Sequence, residues 1–228
     1  MVEPSPADAP ARLVIAIDGP SGSGKSSTSR GVARRLGLAY LDTGAMYRAA
    51  TWLVMKHGVD PADTARIVEL VCSASLQMGT DPAHPTVLID GHDVTQAIRE
   101  PEVSAAVSAV SRLPEVREHL IAQQRRIIRS HRRIVAEGRD ITTVVAPDAD
   151  VRVLLVADPA ARVARREREL AGKVSQPTVV EQVIGRDASD AVVTQFHEAA
   201  PGVSLLDSTH LSLDEVIDQI ADLAGASS

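Results

Sequence analysis

The chain has 228 residues, 44% hydrophobic and 24% charged, with 24 Lys+Arg against 30 Asp+Glu for a net charge of −6. That is the composition of an ordinary globule long enough to bury a sizeable core. It excludes global disorder, a disulfide scaffold built on the single cysteine, and nucleic-acid binding by bulk positive charge or by rows of stacking aromatics.

Residues 1–11 carry three prolines, Glu3 and Asp8 but neither a basic stretch nor an apolar one, so a frayed tail is predicted rather than a secretory leader. No apolar run approaches the roughly 18 to 20 residues of a membrane span, and a cytoplasmic protein is expected. Order begins at Leu13-Val14-Ile15-Ala16-Ile17, a continuous apolar run that suits a strand buried on both faces of a parallel sheet. Segments of helical period follow over Ser26–Leu36, Tyr47–Met55 and Ala62–Ser75, and Cys72 in the apolar Ile67–Leu76 is predicted to be a buried thiol of a reducing compartment. Thr86–Val94 carries short extended runs around Asp90-Gly91, the signature of a β-hairpin. A helix over Glu115–Arg132, strands at Ile134–Ala136 and Val151–Val156, and helices over Pro159–Leu170 and Val179–Arg186 come next. A weaker strand at Val203–Leu206 and a helix over Leu213–Leu223 complete the pattern. Asp158-Pro159 and Ser212-Leu213-Asp214-Glu215 are helix-start signals, the second a capping box. Strands alternating with such helices predict an α/β fold with a mostly parallel sheet.

Directly after the first strand stands Gly19-Pro20-Ser21-Gly22-Ser23-Gly24-Lys25-Ser26-Ser27, which fits the phosphate-binding pattern G-x-x-x-x-G-K-[ST] between a strand and a helix. The glycines let backbone N–H groups curl around phosphates, the helix N-terminus adds positive potential, Lys25 reaches the β and γ oxygens, and Ser26 can ligate Mg²⁺. The loop alone leaves a GTPase, an ATP-driven motor and a small-molecule kinase open. A GTPase base-recognition tetrad is absent, and so is a Walker-type strand ending in Asp-Glu.

Three polar clusters fall where apolar runs end: Asp42–Arg48, Glu137-Gly138-Arg139-Asp140 and Arg186–Asp190. The carboxyl ends of parallel strands are where ligands bind in an open sheet. Arginine beside a carboxylate in each cluster suits a second, anionic ligand; isolated structural ion pairs are the alternative. Arg162, Arg165 and Arg166 share a helix face and are candidates to close over transferring phosphates, whereas Arg125, Arg126, Arg129, Arg132 and Arg133 read as a solvated helix face. The seven histidines show no metal-ligand spacing.

The phosphate loop with Leu41–Arg48, Val107–Ser111, Pro114–Arg117, Glu137–Ile141 and the late Arg186-Asp187-x-x-Asp190 resembles bacterial cytidylate kinase, in matching order from about Val14 to Leu223. The resemblance implies a P-loop three-layer sandwich that passes the γ-phosphoryl of ATP, with Mg²⁺, to CMP or dCMP, as a monomer acting on free nucleotides. It implies a core of residues 12–46, 113–158 and 187–228, an acceptor-binding insertion over 47–112 and a lid over 159–186. Carried over by position, Arg48 and Arg139 would hold the acceptor phosphate. Thr43, Ser108, Arg117 and Asp140 would meet the cytosine edge, and Arg186 with Asp190 the sugar. Lys25, Arg139, Arg165 and Arg166 would act on the transferring phosphoryl group, and Mg²⁺ would rest on Ser26, with Asp18 or Asp42 through water. Protein with the same loop but no transferase activity, or a kinase for another acceptor such as AMP, are the alternatives. Two positions depart from the family pattern: Thr142 replaces a glycine, and Val193 replaces an arginine.

Overall fold

The computed structural model describes residues 11–170, 180, 183, 185 and 198–226. Its centre is β1 (Leu13–Asp18), buried along its whole length. Val14 and Ala16 point into one apolar layer, and Leu13, Ile15 and Ile17 into the other, as the two-residue period of a strand requires. Burying a side chain such as Ile15 or Ile17 contributes about 1.5–3 kcal/mol each.

Parallel partners flank it: β2 (Ala39–Asp42), β6 (Arg133–Gly138), β7 (Val151–Val156) and β8 (Ser204–Asp207), in the order β2-β6-β1-β7-β8. One face is covered by α1 (Lys25–Leu36) and α7 (Leu213–Ala226), through Val32, Ala33, Val216, Ile217 and Ile220. The other is covered by α2 (Thr43–Lys56), α3 (Thr64–Ser73) and α5 (Pro114–His131), through Met46, Ala50, Ile67, Val71 and Leu120. The three-layer α/β sandwich predicted above is therefore present. Register sets Asp18 beside Gly138 and Asp42 beside Glu137, so acidic strand ends meet on one line at the carboxyl edge of the sheet.

Between α2 and α5 lies a small antiparallel sheet of β3 (Leu76–Met78), β4 (Val87–Ile89) and β5 (His92–Asp93). The predicted hairpin turns at Asp90 (φ 48°) and Gly91 (φ 77°), the two left-handed positions of a type I′ turn. A short 3-10 turn (Ala97–Arg99) leads into α4 (Pro101–Ser111), with proline in its first turn. The capping box at Ser212 is formed: Glu215 accepts from the Ser212 amide at 2.8 Å and Ser212 Oγ from the Glu215 amide at 3.3 Å. After β7, α6 (Pro159–Leu170) has the bounds the proline predicts.

Three expectations need correction. Cys72 is half-buried, because α3 lies on the outside of its layer and turns only Ile67 and Val71 fully inward. The second helix starts at Thr43 rather than Tyr47, because the Asp42 carboxylate caps it by accepting from the Ala45 amide at 2.8 Å. β2 and α4 carry too weak a period to be found from sequence. The domain boundary placed between residues 46 and 47 falls inside α2, whose faces feed both the main core and a separate cluster of Ala45, Ala49 and Leu53 with Val87, Ile89 and Ile98. Residues 1–10 of the tail expected over 1–11, and nearly all of the helix expected over 179–186, lie outside the described residues.

Candidate active site

The loop between β1 and α1 is shaped by glycines. A Cβ on Gly19 would stand 2.1 Å from the Leu155 carbonyl oxygen, and Gly22, at φ 74°, would bring one to 2.7 Å from the carbonyl oxygen of Arg162. No larger residue lets β7 and α6 approach the loop so closely. Lys25 folds back to donate to the Pro20 carbonyl at 2.9 Å, so its ammonium sits over the loop where phosphates would lie. Arg162, buried at the root of α6, donates to the Ser21 carbonyl at 3.0 Å. Arg165 donates to the Ser23 carbonyl at 3.3 Å and to Ser208 Oγ at 2.9 Å and its carbonyl at 2.6 Å.

A cavity of about 420 Å³ runs from this loop across the carboxyl ends of β2 and β6 to α4 and α5. Lys25, Arg48, Arg99, Arg117, Arg139 and Arg166 line it, against four acidic side chains, so the local charge opposes the chain's net −6. Such focusing attracts anions.

Most acidic groups there are already engaged. Arg48 pairs with Asp42 at 2.8 Å. Burial raises the Asp42 pKa, but Arg48, the Ala45 amide and Arg99 outweigh it and hold the group below its ordinary value. Arg117 pairs with Asp140 at 2.5 Å. Arg139 donates to the Gly19 carbonyl at 3.3 Å and so stands between phosphate loop and acceptor side. Thr43 Oγ1 donates to the Glu137 carbonyl at 2.7 Å, tying the first turn of α2 to β6.

Glu137 is buried at the meeting of the two halves. Tyr40 donates to it at 2.8 Å, and Ser26 and Lys25 stand near. Burial and the neighbouring Asp42 charge push its pKa up. Tyr47 also lines the cavity, and burial pushes its hydroxyl up to about 12, so it stays neutral throughout the working range.

The sequence profile of the cytidylate kinase family matches residues 15–226. A cytidylate kinase of Cutibacterium acnes is 56% identical over 212 residues, covering 92% of this chain and 95% of that protein. The chain belongs to the cytidylate kinase family. Further cytidylate kinases, of Nocardia farcinica (48% identical) and Streptomyces griseus (46%), each match over 92% of this chain and 92% of their own. Among solved structures, a gluconokinase from Sinorhizobium meliloti shares the fold with a TM-score of 0.50 at 12% identity, over 96% of this chain and 94% of that one.

Within this cytidylate kinase family fold, Thr43, Arg48, Arg117, Arg139 and Asp140 converge on one cavity with Ser21, Gly22, Lys25, Ser26 and Arg166. Ser108 does not line it: Ser104, Val107 and Ser111 do, and Ser108 stands half-buried beside them on α4. Arg165 does not line it either, being spent on Ser23 and Ser208. Asp18 is a structural acceptor for the 141–142 segment, with both oxygens engaged, and Asp42 lines the cavity paired with Arg48. Arg186, Asp190 and Val193 lie outside the described residues. The sequence alone assigns no role to Glu137, Tyr47 or Arg99, all of which line the cavity. Glu137 and Tyr47 were signalled by their places inside the quoted motifs; Arg99, after a short turn, carried no signal.

Proposed function

We propose that the protein transfers the γ-phosphoryl group of ATP to CMP or dCMP, giving ADP and CDP or dCDP. The observation that carries this reading is the cation-lined cavity that joins a complete phosphate loop to Arg48, Arg139, Arg117 and Asp140 in a chain of this family. The acceptor is a phosphate oxygen already ionised at neutral pH, so the residues need only align, neutralise and exclude water. Backbone amides of residues 21–25 and the Lys25 ammonium would cradle the donor phosphates. Arg48 and Arg139 would hold the acceptor phosphate in line, and Arg166 from α6 would offset charge that develops between them. Asp140 would accept from the cytosine N4 amino group while Arg117 and Thr43 fix the ring edge. Arg186 and Asp190 would meet the sugar, and Ser108 would support α4 beside the base.

Mg²⁺ fits the residues present. The Ser26 hydroxyl and the buried Glu137 carboxylate, which line the same cavity, offer oxygen donors suited to a hard cation that keeps several waters. Among the described residues no group of three His, Cys, Asp or Glu forms a dedicated cage, which leaves phosphates and water to complete the shell. When bound, the ion neutralises phosphate charge.

We read the protein as a cytoplasmic monomer that acts on free nucleotides rather than on nucleic-acid polymers. No described helix is long and apolar enough to cross a membrane. A coupled ADP-release assay with CMP, dCMP, UMP, AMP and shikimate tests the acceptor: turnover concentrated on CMP and dCMP is expected, and comparable turnover of AMP or shikimate would overturn the reading.

A further inference from the structure

Asp18 ends β1, one residue before the phosphate loop, and its carboxylate is almost wholly buried. It is not one of the residues that line the cavity described above. Instead it accepts from the Ile141 amide at 2.9 Å, the Thr142 amide at 2.7 Å and the Thr142 hydroxyl at 2.6 Å. These donors open a π-helical turn, Ile141–Val145, that follows Arg139 and Asp140 directly. Its wide ladder is real: Val145 donates to the Asp140 carbonyl at 3.1 Å and Ala146 to the Ile141 carbonyl at 2.8 Å.

The other end of the turn is also gripped by charge. Arg125 of α5 donates to the Val144 carbonyl at 2.6 Å and the Val145 carbonyl at 3.3 Å, and Arg152 of β7 to the Thr142 carbonyl at 3.4 Å. A π turn is rare and clusters at functional sites. A carboxylate held by three short donors and a guanidinium on the exit carbonyls fix both its ends.

We propose that Asp18, with Thr142 as its partner, is a positioning residue that sets the placement of Asp140 and Arg139 relative to the phosphate loop. β1 carries the donor loop and the π turn follows the acceptor-reading pair, and the Asp18 carboxylate is a buried link between them beside the Arg139 bond to the Gly19 carbonyl. Loosening the link lets Asp140 move while the loop stays put. The cost falls on acceptor affinity and base choice rather than on the donor. This inference rests on CMP being the acceptor.

The test uses the full chain and four proteins: wild type, Thr142→Val, Thr142→Ser and Asp18→Asn. Kinetics with CMP and UMP are measured beside melting temperatures. Valine removes the hydroxyl at nearly constant shape; serine returns it. Thr142→Val is expected to raise the KM for CMP about threefold to tenfold, with kcat and the KM for ATP within about twofold, and to narrow the CMP/UMP ratio. Thr142→Ser restores both. Asp18→Asn, which turns an amide N–H toward a backbone N–H, gives a larger loss in the same direction. If Asp18→Asn fails to fold, the threonine pair decides. A Thr142→Val protein with a lowered melting temperature but unchanged CMP KM and CMP/UMP ratio overturns the positioning role. Wild type that fails to phosphorylate CMP overturns the acceptor reading itself, a result distinct from an unmoved ratio in an active enzyme.

Discussion

The two halves of the cavity are built in different ways. The donor half is one continuous segment whose working groups are backbone amides and a single lysine, held by glycines that let β7 and α6 close in. The acceptor half is assembled from β2, α2, α4, α5 and β6, and its working groups are long side chains set by ion pairs such as Arg48 with Asp42 and Arg117 with Asp140. Backbone geometry is cheap to encode in a short motif, whereas side chains that converge from five elements need the whole fold. The donor half should therefore fail all at once, and the acceptor half by degrees.

The largest effect is expected at Lys25, the only side-chain charge the loop motif places on the transferring phosphate. Lys25→Met should lower kcat by about a hundredfold or more while far-UV circular dichroism and melting temperature hold. Near-normal turnover would dissolve the contrast. Asp140→Ala comes next, with about 1 to 3 kcal/mol lost from kcat/KM for CMP and a smaller preference over UMP. An unchanged ratio would show that the base is read elsewhere in the cavity. Gly22→Ala is smaller again: φ 74° costs an L-residue about 1–2 kcal/mol, and the added methyl presses on the Arg162 carbonyl. Equilibrium titration should show weaker ATP binding with CMP affinity nearly intact, and equal losses for both ligands would blur the two halves into one.

The smallest change lies at Glu137, where the halves meet. Burial raises its pKa above the ordinary 4.5, so the folded chain binds a proton that the unfolded chain releases. The stability this brings is complete below about pH 4.5 and is lost as pH rises through the folded value. Glu137→Gln removes that slope. The variant should melt about 2–4 °C higher at pH 7, roughly 1 kcal/mol for a chain of this size, while turnover falls. Melting curves from pH 4 to 8 with no difference in slope between the two proteins would remove Glu137 from the pH response.

The same contrast governs what the sequence revealed. β1, α1, α6 and α7 were legible because long periodic segments and strong start signals agree, as at Pro159 and in the Ser212–Glu215 box. β2 was not, because Ala39-Tyr40-Leu41-Asp42 is four residues long and becomes a strand only by pairing with β6. Thr43, Arg48, Arg117, Arg139 and Asp140 converge as the family motifs imply. Arg165 illustrates the limit: helical spacing puts it on the right face, but spacing says nothing of Ser208, 43 residues away, which captures its guanidinium. Thr142, a departure whose meaning was obscure in sequence, gives Asp18 a third hydrogen bond that a glycine has no atom to make.

α2 has a consequence for how this fold can be taken apart. The helix gives Met46, Ala50 and Val54 to the layer under the main sheet and Ala45, Ala49 and Leu53 to the layer under the small one, so it is a party wall rather than a corridor. Cutting out residues 47–112 and bridging the gap would strip Ala50, Val54, Ile67, Val71 and Val110 from beneath β1 and β6. The acceptor half is thus not a cassette that can be swapped to redirect the enzyme. Its specificity must be rewritten in place, one cavity-facing side chain at a time, on a wall that both rooms share.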